Sequence, residues 1–291
     1  MKLSSHILKA ALLCAAAVSV SLAFTDEELE MYERQSQVQG DLHTADSIIT
    51  KGTIVDLDFT LSDFQLASLD AEQLVLLRNS IFARYGYTFS DSALTEHFMS
   101  FPWYAPVNDD VSDYLTPVDE WNIRRIQFYE ESLTEEADTV PDESHLVGFW
   151  HGSAAVGSGY SRRFFFFPDG RFIYRENSMD GSRRLIEISG EWKLRGSHLV
   201  LKADSLRYLQ GGYIAEPYAS YGSDFVIEAA EETGTALDPP KVFSMPMSDF
   251  TGNYAASHPE TDLDHLTVPF MGIGTGEYWR ISSDPYADHL H

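Results

Sequence analysis

Two hydrophobic periods divide the chain. Up to about residue 133, apolar positions recur at three- and four-residue spacing. From His145 onward they come in short runs broken by Gly, Asp and Ser. The first pattern predicts helices and the second strands. In the helical part, Asp70 with Gln73 three residues later opens a helix through "LLRNSIFARYG". Leu69 and Leu74 are spaced to staple it, and Gly86 suits a left-handed C-terminal position. A short helix follows from about Asp91 to Met99. "FPWYAP" is extended, because each proline pushes its predecessor out of the α region. Thr116 and Pro117 open a further helix over "VDEWNIRRIQFYEE", with Asp119 and Glu120 in its first turn. Near the start, Thr25 and Glu28 form a capping box for a helix to about Arg34. "SQVQGDLHTADS" then reads as a linker, and "TIVDLDF" as a strand or extended arm.

The strand candidates are "LVGFWHG", "RRFFFFPDGRFIYRE", "LIEISGEWKL", "SHLVLKAD", "YIAEP", "DFVIEA", "KVFSM", "LTVPFM" and "EYWRIS". "PDG" is a tight hairpin signal, and "GIGTGEY" reads as a second hairpin turn. Residues 164–167 are all Phe, which puts aromatics on both faces of one strand and leaves neither face freely solvated. The expected fold class is α+β overall in two domains, a small α-helical module and an all-β barrel or sandwich. Residues 1–23 form a leader, 24–58 an acidic segment, 59–133 the helical domain, 134–144 a linker and 145–291 the β domain.

The leader resembles a secretory signal peptide. Lys2 and Lys9 precede an uncharged apolar stretch, and Ser21 and Ala23 place small residues for cleavage after Ala23. Export to a periplasmic or extracellular location is expected. Cys14 is the only cysteine and lies in this stretch. Bulky Leu13 before it argues against a lipid anchor there. The mature chain is expected to hold together without disulfides and without a membrane span. A net charge of -25 argues against nucleic-acid binding, which needs concentrated Lys and Arg. No HExxH, G-x-S-x-G or phosphate-loop motif is present. "DLDH" at 262–265 and "DHLH" at 288–291 read as solvated tails. No metal, cofactor or catalytic group is expected, and the protein is read as a non-enzyme.

On a helical wheel with Leu74 at zero, Arg78 falls at ~40°, between Tyr85 at ~20° and Phe82 at ~80°. It lies within the apolar arc, so it needs a carboxylate partner. The predicted structural ion pair joins Arg78 to Glu120 or Asp119. Asn79 and Asn122 are expected to cap loop carbonyls nearby. Arg84 lies at the margin of the arc. With Tyr85, Trp103 and Tyr104 it makes the candidate binding set, aromatic faces for stacking and a cation for an anionic group. The alternative is that Trp103 and Tyr104 simply build the core of a small unit.

"LLRNSIFARYGYTF", the Trp103-Tyr104 pair and "LTPVDEWNI" resemble the YARHG domain over residues about 68–126. That family is named for a Tyr-Ala-Arg-His-Gly run. Here the run is Phe82-Ala83-Arg84-Tyr85-Gly86, so any role needing the imidazole is lost. In the β part, Gly148-Phe149-Trp150, "FFFFPDGRF" and "GEWKLRGSHLVLK" are similar to lipocalin-like domains of bacterial envelope proteins. Together the resemblances imply a secreted, non-enzymatic bacterial envelope protein. It would bind a cell-wall or other envelope component, or a small apolar ligand inside the β domain. The alternative is a structural or assembly factor acting through protein–protein contact.

Overall fold

Reciprocal side-chain caps set the helix starts. The computed structural model describes residues 25–134, 141–153, 161–177, 181–215, 225–251 and 268–287. The expected signal peptide with Cys14, most of the 134–144 linker and both histidine-bearing tails lie outside them. Helix α1 (Asp26–Gly40) opens on the Thr25–Glu28 capping box. Helix α2 (Thr44–Lys51) follows, then a 3-10 turn at Ile54–Asp58 and the short α3 (Asp63–Leu66). Helix α4 (Ala71–Ala83) opens on Asp70 and Gln73, and α5 (Ser92–Met99) on Asp91. Helix α6 (Pro117–Ser132) opens on Thr116 and Asp119, with proline in its first turn. Gly86 takes φ +74°, the left-handed conformation expected after α4.

Two expectations in the acidic segment need correction. "SQVQGDLHTADS" is not a linker; it forms the end of α1 and the start of α2. Its polar letters hide a spaced apolar stripe, since Val38, Leu42, Ala45, Ile48 and Ile49 are all buried. "TIVDLDF" is not a strand but the 3-10 turn. Ile54 and Leu57 stand three apart, which matches the 3-10 period, and Leu57 is fully buried.

After α7 (Glu143–Leu146) the chain turns to strands: β1 (Gly148–His151), β2 (Arg163–Phe166), β3 (Arg171–Arg175), β4 (Leu185–Arg195), β5 (His198–Ala215), β6 (Val226–Thr251), β7 (Phe270–Ile273) and β8 (Gly276–Ser282). Each pairs antiparallel with the next, and β8 returns to β1 through Trp150↔Arg280 and His151↔Trp279, so the sheet closes on itself. That pairing sets aside the sandwich alternative. The first three residues of "YIAEP" end β5, and "VIEA" and "KVFSM" are parts of the single long β6. The Pro-containing segment between them fits because the register with β5 shifts there, from Ala203↔Lys241 to Ser205↔Ala236.

The Phe164–Phe167 run divides as the strand period requires. Phe164 and Phe166 face the main core, while Phe165 stacks on Phe149 on the outer side at 4.9 Å. Trp150, Phe172, Tyr174, Leu201, Phe243 and Met271 complete the inward faces. The same core continues into the helices through Leu57, Leu74, Leu77, Ile81 and Ile126. Phe64 of α3 enters the mouth of the closed sheet, edge-on to Tyr174 at 4.6 Å and to Phe243 at 5.0 Å. Beside it, the Ser244 N–H donates to the Ala67 carbonyl at 2.8 Å.

The interior of the closed sheet is therefore packed, which leaves no room there for the small apolar ligand that was one of the expectations. The space left around Phe64, Phe164, Tyr174 and Tyr278 amounts to about 20 Å³, against the ~300 Å³ that a small ligand needs. No helix among the described residues is long and apolar enough to cross a membrane.

Candidate functional site

Arg78 is half-buried, and its Nε donates to both carboxylate oxygens of Glu130, at 2.9 and 3.1 Å. The partner is neither Glu120 nor Asp119. Glu120 is exposed, with only a 3.9 Å approach to Arg124 one turn on. Asp119 belongs to Arg84 instead, at 2.6 Å. The antiparallel run of α4 against α6 explains both pairs. Six residues along α4 is ~9 Å, and the eleven residues from Asp119 to Glu130 span ~16 Å of α6. Arg78 thus lies opposite the far end of α6, and Arg84 opposite its start.

The Arg84–Asp119 junction is closed to solvent. Asp119 is 0% exposed and the Arg84 side chain 9%. The carboxylate accepts from Arg84, from the Tyr85 hydroxyl at 2.8 Å, and from the Thr116 backbone N–H and hydroxyl at 2.8 Å each. Arg84 also donates to Asp58 at 2.9 Å, and so ties the 3-10 turn to the same point. Burial pulls the guanidinium down, but Asp119 and Tyr85 outweigh it and raise its pKa. Asn122 caps the adjoining loop, receiving the Leu61 N–H and donating to the Phe59 carbonyl. Asn79 instead donates to the Val75 carbonyl of its own helix.

Trp103 and Tyr104 pack inside a satellite core with Phe89 and Phe98. Trp103 stacks on Phe101 at 5.5 Å, and the buried Tyr104 donates its hydroxyl to the Tyr87 carbonyl at 2.7 Å. The four candidate binding residues are thus drawn into the helical unit, each held by neighbours within it.

A more open site lies where the helical unit meets the β7–β8 hairpin. Its anchor is Asp63, buried at the start of α3. One Asp63 oxygen accepts from the Tyr129 hydroxyl and from the Thr275 backbone N–H and hydroxyl, all at 3.0 Å, with Arg125 at 3.1 Å. Gly274 makes this approach possible. It takes φ +60°, and a Cβ there would fall 2.7 Å from both Asp63 Oδ1 and the Tyr129 hydroxyl. Burial and the Asp63 charge push the Tyr129 phenol well above its ordinary range.

Beside this anchor runs a cleft of about 350 Å³, walled by Trp121, Arg124, Arg125 and Phe128 of α6 and by Thr275 and Glu277 of the hairpin. Trp121 is 47% exposed, and the Arg124 guanidinium lies 5.8 Å from its ring centre. The four α6 residues stand at i, i+3, i+4 and i+7, one helix face. The adjoining face carries Asn122, Ile126 and Tyr129 into the core. That second stripe, aromatics interleaved with arginines, is the signal in the sequence that points to this site. Glu277 is the one carboxylate in the lining among the described residues. No group of three or more His, Cys, Asp or Glu is placed to hold a metal ion among those residues.

Comparison with curated proteins finds no match, and neither does comparison with solved structures. The lipocalin-like resemblance of the β unit gains no support from either. The helical unit does match: residues 54–131 fit the family model described as the YARHG domain, so the chain carries a YARHG domain reaching from the 3-10 turn at Ile54 almost to the end of α6.

Proposed function

We propose that this is an exported, non-enzymatic binding protein of the bacterial envelope, and that its ligand is an envelope saccharide held in the cleft between α6 and the β7–β8 hairpin. The observation that carries the reading is Trp121, half exposed in a cleft of about 350 Å³ with Phe128 beside it and Arg124 against its ring. An aromatic face takes the apolar C–H face of a sugar ring, and the polar rim meets its hydroxyls. Glycoside hydrolysis needs two cooperating carboxylates, and this lining offers Glu277 alone among the described residues, which favours binding over turnover. The secretory leader in the sequence supports an envelope location. The packed interior removes the reason to place a small apolar ligand inside the β unit.

The test is retention of the mature protein on isolated bacterial cell wall at low salt. Wild type is expected to be retained and Trp121→Ala to pass through. Equal retention of both proteins, or retention of neither, would overturn the proposal.

A further inference from the structure

A second cavity lies on the same hairpin. Gly276 and Glu277 also line this cavity of about 240 Å³, whose other walls include Ser161, Arg162, Asn177, Arg183 and Tyr278. The first cavity is largely apolar and aromatic, whereas this one is built from polar side chains. Its charge balance is unusual for a chain of net charge -25. Arg125 and Arg162 approach Asp63, and Arg162 and Arg183 approach Glu176, so three guanidinium groups share two carboxylates. Glu176 is further engaged by the Tyr174 hydroxyl at 2.6 Å.

Arg162 is the most available of the three. Its side chain is 35% exposed, and both carboxylates stand 3.9 Å away, beyond hydrogen-bonding distance. Tyr278 lines the cavity beside it. A guanidinium has five N–H donors in a planar fork, and a carboxylate matches that fork with two parallel bonds. Of the charged side chains that line this cavity, Arg162 and Arg183 are cationic and Glu277, exposed at the rim, is anionic, which leaves one positive charge in surplus. A singly charged carboxylate suits that balance better than a doubly charged phosphate.

Taking the cleft as a saccharide site, on which this step rests, we infer that the ligand is an acidic saccharide. One ring lies on Trp121, and a carboxylate on the same chain enters the cavity at Arg162. The two cavities share Gly276 and Glu277 in their walls, which sets a single oligosaccharide across the β7–β8 turn between them.

Calorimetric titration of the full mature protein with chitotetraose, which is neutral, and with tetragalacturonate, which carries carboxylates, tests this directly. The acidic probe is expected to bind about tenfold more tightly. Its margin should shrink as salt is raised, while the neutral probe changes little. Arg162→Gln should remove the margin and leave chitotetraose binding in place. Trp121→Ala should weaken both probes. Equal affinity for the two probes, or a margin that survives in Arg162→Gln, overturns the inference and leaves the saccharide reading standing. Binding of neither probe defeats both. If Arg162→Gln does not fold, Glu277→Gln decides the matter. Removing the rim carboxylate should tighten the acidic probe relative to the neutral one, and an unchanged ratio of the two affinities would refute the carboxylate site.

Discussion

Among single residues, burial separates two arginines that look alike in the sequence. Arg78 and Arg84 both lie on α4 and both meet a carboxylate of α6. The Arg78 pair keeps contact with water, so screening leaves it worth ~1 kcal/mol or less. Asp119 has no contact with water and satisfies Arg84, Tyr85 and Thr116 at once. Replacing it with Ala leaves the buried guanidinium only the exposed Asp58 as a carboxylate partner, a loss of up to ~3–5 kcal/mol. In urea unfolding, Asp119→Ala should therefore lose several times the stability lost by Arg78→Met. Similar losses in the two variants would mean that water reaches the Arg84 junction. The sequence showed that a buried arginine on α4 needs a carboxylate. It did not show which one, because that depends on how far α6 slides along α4, and packing of Leu77 and Ile81 against Ile126 decides this rather than any local signal.

Among the elements, the signals that were legible are those complete within a few residues. The caps at Thr25, Asp70 and Thr116 each need only a side-chain acceptor and a nearby N–H, and all three form. The hairpin at Pro168–Gly170 and the turn at Gly274 are equally local. The docking of α3 was illegible, since a four-residue helix has almost no period to detect. Yet α3 carries Phe64 into the closed sheet and Asp63 onto the β7–β8 turn. Phe64→Ala should cost ~3–5 kcal/mol, as truncating a buried phenylalanine usually does. Gly274→Ala should also destabilise, by ~1–3 kcal/mol, through its left-handed backbone and the clash with Asp63 and Tyr129. Thermal melts of the two variants check both values. A neutral Gly274→Ala would show that the turn can withdraw from Asp63 without cost. Such freedom would also loosen the Thr275 and Glu277 wall of the cleft.

In the whole molecule, the helical and β units share one apolar core, and three tyrosines stand at their junction: Tyr129 on α6, Tyr174 on β3 and Tyr278 on β8. Burial raises the pKa of all three, and neighbouring carboxylates raise it further, against opposing arginines. The consequence for stability has a definite sign. Each phenol keeps its proton in the folded protein at a pH where the unfolded chain would release it. Their contribution is fully present below the ordinary tyrosine value of 10.0 and is lost as pH climbs above it. For each phenol the loss approaches ~1.4 kcal/mol per pH unit once the unfolded chain is ionised. Melting temperature should accordingly stay level from neutrality to about pH 9 and fall steeply beyond about pH 10. Because the tyrosines bridge the two units, loss of helical signal and loss of tryptophan fluorescence should fall together, in one transition. A protein equally stable at neutral and strongly alkaline pH would place these phenols in water. Two separate alkaline transitions would instead show that the units unfold independently, with Phe64 and Asp63 as weak contacts between them and the cleft free to open.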